Sequence, residues 1–431
     1  MRSSITPRFL RHIVTSVSTR STVHSIDLLL GEQAPVRVLH ILTRIAGGGA
    51  EDNTLYTCSG LSHLGYQVDL AIGEENEPAS IRKTGIDPSV RISIIHGLRR
   101  NPAPFHETRA IRNLRALIRT RGYHIVHTHG SKAGVLGRIA AAKEHVPIII
   151  HGIHGTSFSP QMGAISRLLY RNIERWIAAK TDAFVCVGED MRRQYVDASI
   201  GTAEQYHIIH SGMNLDAFRA AGEIQPASSS IRTEFGIPRE SVVIGMISRM
   251  EARKQHGLFL QSISLLLTRK PPQSDVRVLI VGDGPLEEEI KTRVNDLGLS
   301  TITRFAGYRN DVESFFSASD VVTLTSKWEG LPRVLVQAAA VGRPVVTFDV
   351  DGAWEIVEDG TTGLIVPQGD VSGFAEALSL LIDDAAKRTI MGNRARKRVG
   401  DQWTIETMVS RTDDLYRKLG QDAFPRNLDN A

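Results

Sequence analysis

Cysteine is nearly absent from this chain of 431 residues: Cys58 and Cys186 are the only two. A disulfide scaffold and a four-cysteine zinc site are thereby excluded, and both thiols are expected as small buried hydrophobes in a reducing compartment. Long apolar runs are also missing. None approaches the roughly 18 residues of a membrane span, and the longest, such as Pro147-Ile148-Ile149-Ile150, has the length of a buried strand. No transmembrane helix is expected. Neither sign of charge dominates: 51 Lys and Arg against 47 Asp and Glu leave +4. That is too little to indicate nucleic acid, and no such partner is expected. The first 26 residues have no acid but carry Arg2, Arg8, Arg11 and Arg20 among many Ser and Thr. They suit an organelle transit peptide, a disordered basic tail or residues upstream of the true start, and lack the apolar stretch of a secretory signal. Residues 1–35 are set aside from the fold.

What is present is an alternation of short β-branched runs and helical patterns. Strands are expected at Val36–Leu42, Gln67–Ile72, His124–Thr128, Pro147–His151, Ala183–Val187 and Tyr206–His210. After a small, polar stretch at Gly222–Ser230 the pattern restarts, with strands at Val242–Ile247, Val276–Val281, Thr303–Phe305, Val321–Leu324, Val345–Phe348 and Gly363–Val366. Helical spacing marks Glu107–Thr120, Ser131–Lys143, Leu286–Leu297, Arg333–Val341 and Ile405–Leu419. This is an α/β chain of two doubly wound parallel-sheet domains, 36–220 and 231–400, expected to face each other across a cleft. A tail of residues 1–35 precedes them, and a last helix, 401–419, is expected to pack back across the junction.

Ligands of open parallel sheets sit beyond the carboxyl ends of strands, and the residues there are distinctive. Arg249 and Lys254, five apart after Ile247, supply a bidentate fork and a point charge that suit a diphosphate; alone they would also pass for a solvated basic loop. Thr325-Ser326-Lys327-Trp328-Glu329-Gly330-Leu331-Pro332 leads into a helix whose free amides form an anion site. Glu329 would repel a phosphate there, so a sugar hydroxyl is its better partner. Val281-Gly282-Asp283-Gly284-Pro285 is neither G-x-G-x-x-G nor a Walker loop, which weakens kinase and simple dinucleotide readings. Asp349-Val350-Asp351 is a short Asp-x-Asp. His127 and His129 share one face of a strand, and His151 and His154 follow the neighbouring one. The four histidines either hold a metal or line a cleft as hydrogen-bonding groups.

Taken together, HIVHTHGSKAGVLGRIAA at 124–141, HIIHSGMNLDAF at 207–218, SRMEARK from Ser248, VGDGPL from Val281, AGYRNDV from Ala306 and SKWEGLPRVLVQAAAVGRPVV at 326–346 resemble the family 4 glycosyltransferases. These are retaining nucleotide-sugar enzymes of the GT-B fold, of the bacterial polysaccharide and lipid-linked sugar type. The resemblance spans about 36–419. It implies a metal-independent transfer, without cofactor, from a UDP- or GDP-sugar to a carbohydrate or lipid-linked acceptor, in the cytoplasm or on the inner face of a membrane. Arg249 and Lys254 would neutralise the donor diphosphate, and amides near Gly48, Gly49, Gly330 and Leu331 would cradle it. Tyr308 and Arg309 would lie beside the nucleobase, and Glu329 would bind the donor sugar. His129, with His127 second, would contact the sugar near its anomeric carbon; His154 and Asp283 complete the expected substrate-binding set.

The chain departs from the family at one position. A second glutamate is usual eight positions after Glu329's place, where this chain has Gln337. Its amide can accept a hydrogen bond from a ribose but without charge, so donor affinity is expected to fall. A histidine-based metal hydrolase and a non-catalytic nucleotide- or carbohydrate-binding relative are the alternatives. Finally, Arg109, Arg112 and Arg119 lie on one face of their helix. They suit either solvent or the anionic membrane surface that presents a lipid-linked acceptor.

Overall fold

A computed structural model describes residues 35–45, 48–82, 84–101, 103–159, 162–269 and 272–423. The basic tail and the Ala46-Gly47 start of the first glycine loop lie outside them. The described residues divide into two compact units, one holding those up to Gly212 together with those from Thr404 onward, the other being Met213–Trp403.

In the first unit, β1 (Arg37–Leu42), β2 (Gln67–Gly73), β3 (Arg91–Ile95), β4 (Ile125–His129), β5 (Ile148–Ile153), β6 (Ala183–Cys186) and β7 (Tyr206–Ile208) form one sheet. Its order is β3-β2-β1-β4-β5-β6-β7, with every pairing parallel. The central strands are apolar on both faces, so helices must cover both. Leu39 and Ile41 of β1 pack with Ala110, Leu114 and Ile118 on one side. Val38 and Leu42 pack with Leu55, Cys58 and Leu61 on the other. The Ile405–Ala423 helix belongs to this second layer: Met408, Leu415 and Tyr416 join the same core, and Tyr66 donates to Asp413 across 2.7 Å.

In the second unit, β8 (Val242–Ile247), β9 (Val276–Val281), β10 (Thr303–Gly307), β11 (Val321–Leu324), β12 (Val345–Phe348) and β13 (Gly363–Val366) form a parallel sheet. Its order is β10-β9-β8-β11-β12-β13. The Leu215–Ala221 helix, which the sequence placed before the boundary, packs here on the Val312–Ala318 and Arg333–Val341 helices. Phe218 meets Phe316 edge-on.

Both sheets grow outward from one strand, then return and grow the other way. The reversals fall between β1 and β4 and between β8 and β11. Loops leaving adjacent strands in opposite directions open a crevice at these points. Among the described residues, no helix is long and apolar enough to cross a membrane.

Candidate active site

At the β8/β11 reversal the two loops are tied together through backbone carbonyls. Lys327 N–H donates to the Arg253 carbonyl (2.8 Å), and the Thr325 hydroxyl to the Lys254 carbonyl (2.8 Å). This brings Lys254 Nζ to 2.5 Å from Glu329 Oε1 and Arg253 Nη1 to 2.9 Å from Glu329 Oε2. Lys254 and Glu329 are both buried, and Arg253 also pairs with Glu251. Burial pushes the Glu329 carboxyl up, but the charges of Lys254 and Arg253 outweigh it and hold the carboxyl below its ordinary range. Two cations and two carboxylates thus cancel within this group. Arg249 on the same loop is exposed and has no ion-pair partner among the described residues. Arg253 was missed in the sequence, although it directly precedes Lys254.

The glycine loop after β9 buttresses this group. Gly282 has φ +125°, and a Cβ there would strike the Ser248 carbonyl. The Met250 N–H donates to the Asp283 carbonyl (2.7 Å). Asp283 itself is exposed. Pro332 caps the Arg333–Val341 helix, with half-buried Gly330 and buried Leu331 just before it. Gln337 is half-buried on that helix, and its side chain makes no hydrogen bond among the described residues. Tyr308 is exposed. Arg309 is engaged elsewhere, bonding Glu234 at 2.8 Å and Asp311 at 2.9 Å with its guanidinium over Phe315. Asp349 of the Asp-x-Asp accepts from the Trp354 indole (2.9 Å).

At the β1/β4 reversal lie the histidines. His40 of β1 pairs in register with His127 of β4, and Leu42 with His129, so His40, His127 and His129 project from one face. His151 pairs with Thr128, which puts it on the opposite face, bonded to the Thr128 hydroxyl (3.0 Å). The four-histidine metal set is therefore corrected: His151 cannot join it, and His40, the one polar residue among the buried positions of β1, takes its place. Each of the three rings offers one nitrogen within 4.8 Å of the others, so this cluster could hold a metal ion. As placed, the nitrogens bond one another. His127 Nδ1 meets the Tyr416 hydroxyl at 2.8 Å, and that hydroxyl lies 3.4 Å from His40 Nε2. His40 Nδ1 is 2.9 Å from His129 Nε2, and His129 Nδ1 is 3.1 Å from His154 Nε2.

Each of these links needs one donor and one acceptor, so a neutral row carries its protons in one of two senses that reverse together. Burial keeps the row neutral, holding His40 at about 3 and His154 at about 4 and pushing His127 and His129 well below the usual imidazole value. Gly152 makes room for it. A Cβ there would lie 2.8 Å from His129 Nδ1, 3.2 Å from His154 Nε2 and 3.3 Å from His127 Nε2. Tyr416 lies within the Ile405–Leu419 helical pattern, where nothing in the sequence singles it out. At the start of the Gly49–His63 helix, the Glu51 carboxylate reaches back over Gly48, beside the amides expected to cradle phosphate.

Two doubly wound parallel sheets, each with a polar group at its point of reversal, match the two-domain GT-B architecture, and comparison with known proteins gives the family. The model "Glycosyl transferases group 1" matches residues 228–398 and "Glycosyltransferase Family 4" matches 47–217. The chain belongs to the family 4 glycosyltransferases. The UDP-Gal:alpha-D-GlcNAc-diphosphoundecaprenol alpha-1,3-galactosyltransferase of Escherichia coli is 29% identical over 332 residues, 77% of this chain and 84% of that protein. A D-inositol 3-phosphate glycosyltransferase of Kineococcus radiotolerans is 27% identical over 332 residues, 70% of this chain and 73% of that one. Among solved structures, Anabaena HepE in complex with UDP and glucose superposes with a TM-score of 0.72 at 19% identity, covering 89% of this chain and all of that one. At that identity the likeness establishes the fold.

Proposed function

We propose that this glycosyltransferase moves a hexose from a UDP- or GDP-sugar to a lipid-linked or other carbohydrate acceptor, with retention at the anomeric carbon and without a metal ion. The observation that carries the reading is the cation–carboxylate group at the β8/β11 reversal: Arg249 uncompensated, and Lys254 and Arg253 held on a buried Glu329. Such a group suits a donor that is anionic at one end and hydroxylated at the other. Arg249 meets the diphosphate first. Lys254 is then shared between phosphate and Glu329, whose remaining lone pairs accept from sugar hydroxyls.

When the glycosidic bond to phosphate breaks, negative charge grows on the departing diphosphate. Fixed cations and the amides before the Arg333–Val341 helix stabilise that charge, the largest contribution a protein makes to such a step. The departing oxygen takes the acceptor proton on the face it leaves, so the configuration is kept. Neutral His129 contributes as a hydrogen-bonding group near the sugar, with His127 and His154 beside it. Gln337 accepts from the ribose, and Tyr308 stacks on the base. The E. coli relative's own substrate is a diphosphoundecaprenol-linked sugar, which supports a lipid-linked acceptor and a site of action at the cytoplasmic face of a membrane.

The test is a transfer assay with UDP- and GDP-sugars and a polyprenyl-diphosphate-linked sugar, in EDTA. Lys254→Ala is expected to abolish transfer while circular dichroism shows the fold retained, with the melting temperature lowered by up to about 10 °C because one partner of a buried pair is lost. Full transfer by Lys254→Ala, or none by the wild type without added metal, overturns the reading.

A further inference from the structure

The helix Ala164–Ala178 follows β5 and opens at the carboxyl edge of the first sheet. Its inner face is built into the unit: Glu174, Ile177 and Ala178 are buried, and Glu174 forms a fully buried ion pair with Arg138 at 2.7 Å. Its outer face is unusual. Ile165 is 86% exposed, Leu168 50%, Leu169 57% and Trp176 56%. At about 100° per residue these four fall within an arc of about 100°, with only Asn172 among them. Single exposed hydrophobics are ordinary, whereas a stripe of four along three turns marks a contact surface.

The charges on this helix point to what covers it. Arg171 and Arg175 flank the stripe, both half-buried, with Arg175 donating to the Ala198 carbonyl (2.7 Å); Arg167 is exposed further round the helix, and the helix's one acid is the buried Glu174. A surface of apolar side chains including Trp, bordered by arginines with no exposed acid, is complementary to anionic lipid. A second copy of the chain would bring the same arginines and nothing on this face to answer them. At about 1.5 Å per residue the helix is about 22 Å long, short of the roughly 30 Å hydrocarbon core, so it lies in the interface instead of spanning it.

The helix that the sequence singled out contributes differently. On Pro104–Arg121, Arg115 and Arg119 are held by Glu144. Arg109 and Arg112 are exposed without ion-pair partners among the described residues, and Phe105, 92% exposed, is its one large exposed apolar side chain. It offers charge but no apolar face.

We propose that Ala164–Ala178 is an interfacial membrane-binding helix, with Ile165, Leu168, Leu169 and Trp176 entering the acyl boundary of an anionic bilayer and Arg167 and Arg171 meeting the headgroups. This does not depend on the donor assignment. The experiment is co-sedimentation of the full chain with vesicles of phosphatidylcholine alone or with added phosphatidylglycerol, for the wild type, a Leu168→Asp/Leu169→Asp variant and an Arg167→Glu/Arg171→Glu variant. The wild type is expected to bind in proportion to phosphatidylglycerol. Each variant should lose about tenfold or more in vesicle affinity, as removal of a buried leucine or a juxtamembrane charge pair requires, at an unchanged melting temperature. Trp176→Phe should remove the blue shift of tryptophan fluorescence on vesicle addition. Wild-type binding indifferent to anionic lipid, or variants that bind like the wild type, would overturn the proposal. So would a wild-type dimer in light scattering that Leu168→Asp/Leu169→Asp converts to monomer, which would assign the stripe to a second copy.

Discussion

Replacing Glu329 by Gln separates two roles that the ion-pair geometry assigns to one carboxylate. In the free protein Glu329 neutralises Lys254, and both side chains are buried. Removing one partner of a buried pair leaves the other charge uncompensated, at a cost of about 3–5 kcal/mol. Gln retains one acceptor, which puts the loss at the low end, about 3 kcal/mol. For a domain of this size that lowers the melting temperature by about 6–12 °C. A diphosphate then finds Lys254 unclaimed. Binding no longer has to loosen a charge-assisted hydrogen bond of about 1.5–3 kcal/mol, so UDP or GDP should bind Glu329→Gln about tenfold tighter than wild type, or about 1.4 kcal/mol. Transfer should fall at the same time, because the sugar loses its charged acceptor. Calorimetric titration of the matching nucleoside diphosphate, beside the transfer assay, reads both. Equal or weaker nucleotide binding by the variant would refute the reasoning, since Lys254 would then not be the diphosphate's cation.

Three further outcomes follow from the same geometry. Gln337→Glu should tighten nucleotide binding by supplying a charged acceptor for the ribose; unchanged calorimetric affinity would remove Gln337 from the donor site. Tyr416→Phe strips the hydroxyl that His127 Nδ1 and His40 Nε2 share. It should cost about 1–3 kcal/mol in denaturant unfolding, as two buried nitrogens lose their partner, and a loss under about 0.5 kcal/mol would mean the row is not intact in solution. The buried imidazoles titrate far below their unfolded value, so the unfolded chain binds more protons between them. The stability they confer is complete above the ordinary histidine value near 6.5 and is lost as pH falls toward about 4 for His154 and about 3 for His40. Each such histidine contributes a slope of up to about 1.4 kcal/mol per pH unit. Urea unfolding at pH 7, 6 and 5 should show this decline, and a flat profile would show that the cluster is not buried and neutral.

The parallel strands of both sheets were legible because strands buried on two faces read as uninterrupted apolar runs. Val242–Ile247, Val276–Val281 and Val345–Phe348 have the bounds that the sequence suggests. The strand Arg91–Ile95 was not legible: it is an edge strand, half-buried, with Arg91 and Ser93 breaking the run. Nor was Ala164–Ala178 read as a helix, because its apolar residues cover two faces at once, one packed and one exposed. At the site, single strand-end residues such as Glu329 and Lys254 could be found from position, but the bond between them could not, since it joins residues 75 apart across two loops. The same holds for His40, His127 and Tyr416. Parity along a strand gives the face a side chain takes, whereas the strand register that sets His40 beside His127 and turns His151 away exists only in the folded sheet.

The central claim is that the donor diphosphate is held at the β8/β11 reversal by Arg249 and Lys254. A crystal structure with bound UDP or GDP tests it most directly. The account predicts phosphate oxygens within hydrogen-bond distance of the Arg249 guanidinium, Lys254 Nζ and the backbone amides at Gly330 and Leu331, with Lys254 shared between phosphate and Glu329. A nucleotide bound elsewhere, with Lys254 on Glu329 alone, would contradict it.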